Sequence, residues 1–187
     1  KYDEWKDDPN MIADVMRFLD NVLSDFINKA PDQFKDAKYS AERERSVGLG
    51  VMGFHSFLQK KRIPLESVMA KSWNKKIFKQ IDEQVNQASK DLAEERGACP
   101  DAAEYGYMER FSNKTAIAPT ASISIICGGA SPGVEPIAAN SYTHKTLSGS
   151  FNVRNRYLEE ILESHGKNDD ETWSTITTNQ GSVSHLD

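Results

Sequence analysis

One helical pattern of roughly thirty residues constrains this chain more than any other feature. It begins at Glu66 or Ser67 and runs to Arg96, with Trp73, Ile77, Ile81, Val85, Ala88 and Leu92 recurring at three- and four-residue spacing. Gly97 supplies a natural C-terminal stop. A helix with one apolar stripe must bury it, so the fold has to provide a partner surface. A second pattern precedes it. Met11, Ile12, Val15, Met16, Leu19, Val22, Leu23, Phe26 and Ile27 predict a helix to about Ala30, stopped by Pro31, with its stripe in the core. Asp7, Asp8, Pro9 and Asn10 supply capping side chains and a first-turn proline.

Between these patterns the sequence is less regular. Residues 32–46 are polar and charged and read as a loop or a helix approach. From Ser46, the residues Val47, Leu49, Val51, Met52, Phe54, Phe57 and Leu58 predict a further helix. It ends near Lys60, Lys61 and Arg62, where cations suit the negative end of a helix dipole, and Pro64 follows.

Composition narrows the function classes. The chain has 187 residues, about one domain's worth. Twenty-three Lys plus Arg against 28 Asp plus Glu leave a net charge of −5, which argues against a general nucleic-acid binder. Two cysteines, Cys99 and Cys127, exclude a disulfide-stapled scaffold and any four-cysteine metal site. Each is expected to be a small buried hydrophobe. No apolar run reaches the roughly 18 residues of a membrane span, and the start, Lys1 to Asn10, does not resemble a signal peptide. The expectation is a soluble, cytoplasmic protein. The chain opens at Lys1 rather than Met and ends at Asp187 without a tail, so it reads as a segment of something larger.

After residue 113 the character changes. Lys114 to Ala118 is short, partly β-branched and bounded by Pro119, which predicts a strand. Thr120, Ala121 and Ser122 then open an apolar run from Ile123 to Ile126 that reads as a helix start. Gly128 to Gly133 is turn-rich, and residues 141–153, with Tyr142, Leu147, Phe151 and Val153, are extended or irregular. Asn155 and Asp169 or Asp170 could cap two short helices, ended by Gly166 and Gly181.

Several motifs are weaker than they look. Gly48-Leu49-Gly50-Val51-Met52-Gly53 matches G-x-G-x-x-G, but a dinucleotide fold needs a hydrophobic strand before it. Here residues 41–46 are charged, so close helix packing through small residues is the expected role. Ser72 to Lys75 fits S-x-x-K without its companion motifs. His55, His144, His165 and His185 show no metal-ligand spacing. The segment from Ala116 to Ser124 carries sharper chemistry. A strand runs into Pro119, then into small hydroxyl residues, then into a helix start. Helix N-termini present unpaired N–H groups and a partial positive charge, and small residues let a phosphate oxygen approach them. An ordinary Thr or Ser cap without a ligand is the alternative.

The run Asn113-Lys114-Thr115-Ala116-Ile117-Ala118-Pro119-Thr120-Ala121-Ser122-Ile123-Ser124 resembles the substrate-phosphate loop of class I ribonucleotide reductase large (alpha) subunits. Further stretches agree in order along the chain: Arg45 to Phe54, Gly97-Ala98-Cys99-Pro100, Gly133-Val134-Glu135-Pro136 and Gly181 to Asp187. The resemblance covers essentially the whole chain. It implies an α/β fold, a helix-rich partial segment of the family's ten-stranded barrel. The chain would be one incomplete piece, mainly helical over 1–113, with the phosphate-loop strand, turn and helix and an irregular-to-helical region over 114–187.

The family reduces ribonucleoside diphosphates through a cysteine thiyl radical. It relies on a radical-generating, metal-containing small (beta) subunit and a thioredoxin- or glutaredoxin-type reductant. By position, Thr120, Ala121, Ser122 and Ile123 would hold the substrate phosphates, chiefly through backbone N–H groups. The resemblance places the radical and redox cysteines, the effector sites and the radical-relay tyrosines outside residues 1–187. This segment would then hold no catalytic residue, metal or cofactor of its own. Its partners would be flanking alpha segments, the beta subunit and the substrate, with no membrane or nucleic acid. Neither Cys99 nor Cys127 matches a catalytic cysteine. The alternative is a stand-alone α/β module used for binding or assembly.

Overall fold

The computed structural model describes residues 2–146 and 149–186. Lys1, Leu147, Asp187 and the side chain of His144, named above, lie outside that description. Nine helices and two strands are seen among the described residues. In chain order they are α1 (Tyr2–Trp5), α2 (Met11–Lys29), a 3-10 turn (Asp32–Phe34), α3 (Lys35–Glu44), α4 (Phe54–Lys60), α5 (Val68–Arg96), α6 (Pro100–Glu104), α7 (Ala121–Ile126), β1 (Ser141–Thr146), β2 (Gly149–Arg154), α8 (Arg156–Ser164) and α9 (Asp170–Thr178). They divide into two compact units. The first comprises Lys1–Met52 and Glu66–Thr120, the second Gly53–Leu65 and Ala121–Asp187.

The first unit is built on α2 packed against α5. The Ser67 hydroxyl caps α5 by accepting from the Ala70 N–H at 3.1 Å. Ile77, Ile81, Val85, Ala88 and Leu92 are buried as their period predicts. α2 divides its apolar residues differently from the expectation. Ile12 and Met16 are buried, whereas Met11, Val22 and Phe26 are exposed, joined by Phe18. One helix cannot point nine residues at one partner, and the outer row faces solvent. The expected Asn10 side-chain cap is also absent. The Asp8 carboxylate accepts from the Asn10 N–H instead, at 2.9 Å.

A charged cluster locks this unit. Asp20 is fully buried on α2. Its Oδ1 accepts from Arg45 Nε at 2.9 Å and Nη2 at 2.6 Å, and from Arg110 Nε at 2.9 Å. Its Oδ2 accepts from Arg96 Nη1 at 2.7 Å. Three guanidiniums on one carboxylate leave positive charge over. The carbonyls of Arg96 and Gly97, at the negative end of the α5 dipole, accept from Arg110 Nη1 at 3.1 and 2.9 Å. Burial alone would raise the Asp20 carboxyl, but the hydrogen bonds from Arg110, Arg96 and Arg45 outweigh it and hold the group below its ordinary value.

Two expectations fail in this unit. Residues 35–44, read as loop or helix approach, form α3. Its sequence has almost no apolar stripe. Arg43 ties it to Asp101 and Glu104 of α6, and Arg45 closes it in a left-handed conformation, φ 44°, with its side chain on Asp20. The helix expected from Ser46 starts only at Phe54. The preceding residues are non-helical instead, and residues 47–49 run parallel to residues 113–116. Val47 N–H donates to Asn113 O at 3.0 Å, Leu49 N–H to Lys114 O at 3.0 Å, and Ala116 N–H to Leu49 O at 3.1 Å. The strand expected over Lys114 to Ala118 does not form as such: its pairing is limited to one parallel bridge, Thr115 with Leu49, because the partner segment meets it at that point alone.

The second unit uses neutral polar links. Ser56, in α4, and Ser131 clasp each other: Ser56 N–H donates to Ser131 Oγ at 3.1 Å and Ser131 N–H to Ser56 Oγ at 2.8 Å. β1 and β2 form an antiparallel hairpin with Ser141 opposite Arg154 and Tyr142 opposite Val153. Asn155 caps α8 and Asp169 caps α9, through Tyr157 N–H at 3.1 Å and Thr172 N–H at 2.7 Å. Leu162, Trp173 and Ile176 make a small core with Leu158, Val183 and Leu186. Gly181 sits where a β-carbon would be 2.4 Å from Ala139 Cβ. Its carbonyl accepts from the Asn140 N–H and side-chain amide at 3.2 and 2.9 Å.

Candidate functional site

The segment from Ala116 to Ser124 is extended, then turns sharply into α7. The turn falls on Thr120, which adopts φ 49°. A β-branched residue in the left-handed region is a steric outlier, costing about 1–3 kcal/mol. Pro119 restricts the residue before it and cannot donate a hydrogen bond. The chain thus enters α7 abruptly, and Ala121, Ser122 and Ile123 form its first turn, all exposed. Their N–H groups precede the first possible intrahelical bond, so an α-helix offers them no partner. Ser124, in the same turn, is buried and donates its Oγ to Ala121 O at 3.0 Å. Its hydroxyl is occupied within the turn, while that of Ser122 faces solvent.

At the other end of α7, Ala130 N–H donates to Ser124 O at 3.1 Å and Arg156 Nη1 to Gly128 O at 3.0 Å. A cation there complements the helix's negative end. Ile123, Ile125 and Ile126 are exposed rather than buried. Cys127 is exposed too, against the expectation of a small buried hydrophobe, because a helix of only six residues does not cover the end of its run. Cys99 is fully buried as expected. His55, in the second unit, accepts from Ile137 N–H at its Nδ1 at 3.3 Å, and burial lowers its pKa.

The glycine motif has a different role from helix packing. A β-carbon at Gly50 would lie 2.5 Å from the Ala116 carbonyl oxygen, and one at Gly48 would lie 2.8 Å from Ala116 Cβ. These glycines allow the two extended segments to meet. The motif itself carries the parallel bridge at Leu49, so the charged residues before it do not argue against extended pairing there. The Val-Gly-Leu-Gly-Val alternation carried that signal at period two. Among the described residues, no group of three or more His, Cys, Asp or Glu side chains is placed to hold a metal. Likewise no helix is long and apolar enough to cross a membrane.

The described residues combine helices with an antiparallel hairpin and one parallel bridge. The family model described as "Ribonucleotide reductase, barrel domain" matches residues 2–110 and 101–187. The ribonucleoside-diphosphate reductase large subunit of Invertebrate iridescent virus 6 is 48% identical over 187 residues, covering 99% of this chain and 19% of that protein. A vitamin B12-dependent ribonucleoside-diphosphate reductase of Thermoplasma acidophilum is 39% identical over 138 residues, covering 71% of this chain and 17% of that protein. Among solved structures, the Actinobacillus ureae class Id ribonucleotide reductase alpha subunit superposes with a TM-score of 0.87 at 38% identity, covering all of this chain and 34% of that one. The chain belongs to the ribonucleotide reductase barrel-domain family. It spans between a fifth and a third of the length of the large-subunit relatives it matches.

Proposed function

We propose that this chain works as part of the large subunit of a ribonucleoside-diphosphate reductase. In this reading Thr120, Ala121, Ser122 and Ile123 hold the phosphates of a ribonucleoside diphosphate that is reduced to the deoxyribonucleoside diphosphate. The observation that carries it is the left-handed Thr120 at the entrance to α7. A β-branched residue in that conformation is a local cost, and such costs persist where the surroundings require a particular backbone path. Here the path leads into α7, whose first residues Ala121, Ser122 and Ile123 are exposed and have N–H groups with no intrahelical partner. Preorganised N–H donors favour anionic oxygens without any lysine or arginine.

The parallel pair of residues 47–49 and 113–116 belongs, in this reading, to the ten-stranded α/β barrel. The radical-generating small subunit supplies the oxidising equivalent and a thioredoxin- or glutaredoxin-type protein the electrons, both acting on parts of the large subunit beyond this segment. Flanking large-subunit segments are then obligatory partners, and the setting is cytoplasmic. The segment by itself has no turnover. The class Id neighbour is named an alpha subunit, which supports a reading with at least one further kind of subunit.

Reconstitution tests this. Mixed with separately expressed flanking segments and the radical subunit, the chain should be required for conversion of CDP to dCDP. Turnover that does not need it, together with a monomer that melts cooperatively by itself, favours a stand-alone module. Within a competent assembly, Ala121→Asp should weaken CDP binding. Repulsion between like charges about 6 Å apart near a protein surface is on the order of 3 kcal/mol, or about a hundredfold in affinity. Unchanged CDP affinity removes the phosphate-loop assignment.

A further inference from the structure

We infer that Gly48 and Gly50 are positioning residues for the phosphate loop: they seat Ala116 and thereby fix where Pro119 and Thr120 enter the turn. This rests on the phosphate-loop reading above and extends it to residues that touch no substrate. The two glycines lie on the extended segment parallel to the loop's own strand, and both meet the same residue. At Gly50 the close neighbour is backbone, the Ala116 carbonyl oxygen, 2.5 Å from where a β-carbon would stand. At Gly48 it is a side chain, Ala116 Cβ, 2.8 Å away. Backbone atoms cannot give way without moving the strand, whereas a methyl group can be removed.

The seat is tied on both sides. Leu49, between the glycines, accepts from Ala116 N–H at 3.1 Å and donates to Lys114 O at 3.0 Å. The Ser46 and Ser112 hydroxyls lie 2.9 Å apart, and the Asn113 amide donates to Ser46 Oγ at 3.0 Å. Three residues separate Ala116 from Thr120: Ile117, the small Ala118 and the rigid Pro119. A displacement at Ala116 therefore reaches the turn with little to absorb it. Ligand groups held by fixed N–H donors tolerate only about 0.5 Å of misplacement, and 1 Å can cost about a hundredfold.

The different neighbours of the two glycines give a test with an internal control. CDP affinity is measured by calorimetry on the reductase assembly containing this chain, and the thermal midpoint of each variant is recorded. Gly48→Ala should weaken CDP binding about tenfold or more, and adding Ala116→Gly should restore it, because the obstructing methyl group is gone. Gly50→Ala should weaken binding at least as much and should not be rescued by Ala116→Gly. A lesion that is merely structural would lower the midpoint of Gly48→Ala and leave the affinity of the folded fraction unchanged. That result overturns the inference, as does a Gly48→Ala loss that Ala116→Gly does not repair. If Gly50→Ala fails to fold, the Gly48 pair decides alone. Wild-type CDP affinity in both glycine variants, with affinity lost in Ala121→Asp, overturns this inference and leaves the phosphate loop standing. No CDP binding by the wild-type assembly, or equal binding by Ala121→Asp, removes the phosphate loop and this inference with it.

Discussion

The two units bury polar groups in opposite ways. In the first, the buried polar residues are Asp20, Arg45, Arg110 and Ser89, and the first three are charged. In the second, among the described residues, they are Ser56, Ser124, Ser131 and Asn155, all neutral. A buried charge must be neutralised by specific partners, so the first unit depends on a few residues brought from four places in the sequence. Neutral hydroxyls and amides need only one or two hydrogen bonds each, and the second unit spreads them over several small links. The difference teaches where each unit is brittle. The first should fail through one residue, the second through several weak ones.

The largest effect that would break or sharpen this comparison is Asp20→Ala. It strands the buried guanidiniums of Arg45 and Arg110 and unpairs the more exposed Arg96, and should cost about 3–5 kcal/mol, read by denaturant unfolding of the chain. A loss below about 1 kcal/mol would show that the cluster is solvated and the contrast false. Ser131→Ala should cost less, about 1–3 kcal/mol, because it leaves one buried N–H of Ser56 without its acceptor. Hydrogen exchange should locate that loss in the second unit.

Acid should separate the units by pH. His55 has a lowered pKa, so protonation favours the unfolded chain, and its contribution is present above the ordinary histidine value of about 6.5 and lost as pH falls through its folded value. Asp20 is also lowered, but from an ordinary value of about 3.9, so its contribution persists until pH falls below that range. Exchange protection around α4 should therefore weaken between neutral pH and about pH 5, while α2 and α5 stay protected. Simultaneous loss in both would refute the assignment. The smallest effect is chemical: a thiol reagent should modify Cys127 in the native chain and reach Cys99 only on unfolding, as mass spectrometry of native and denatured samples would show.

The long helices, the cap at Asn155 and a cap at Asp169 or Asp170 were legible because period and capping are local. α3 was not, since its stability comes from Arg43 reaching Asp101 and Glu104, and Arg45 reaching Asp20. Such pairs leave no periodic trace. The strand at 47–49 was hidden for a related reason. Val47, Leu49 and Val51 alternate at period two, yet with Met52, Phe54 and Phe57 they also fit a helix, and the partner that decides lies far along the chain. α2's outer row was invisible because periodicity reports that a residue is apolar, not which of two faces is covered. In the candidate site, small residues, proline and a helix start were readable. The left-handed Thr120 was not, because nothing in a threonine's identity announces a conformation it ordinarily avoids.

The pairing of residues 47–49 with 113–116 also sets an order of events in folding. Ser46 and Ser112, which flank it, are 66 residues apart in the chain, and α5 lies wholly between them. Contacts of such long separation pay their closure entropy before any reward, and they form late. During synthesis the Gly48–Gly50 segment leaves the ribosome well before Ala116 exists and waits as an exposed, hydrophobic, glycine-rich edge. The step that forms this pairing is thus among the last to complete, and the interval before it is when this chain is most open to mispairing with another copy or to capture by a chaperone.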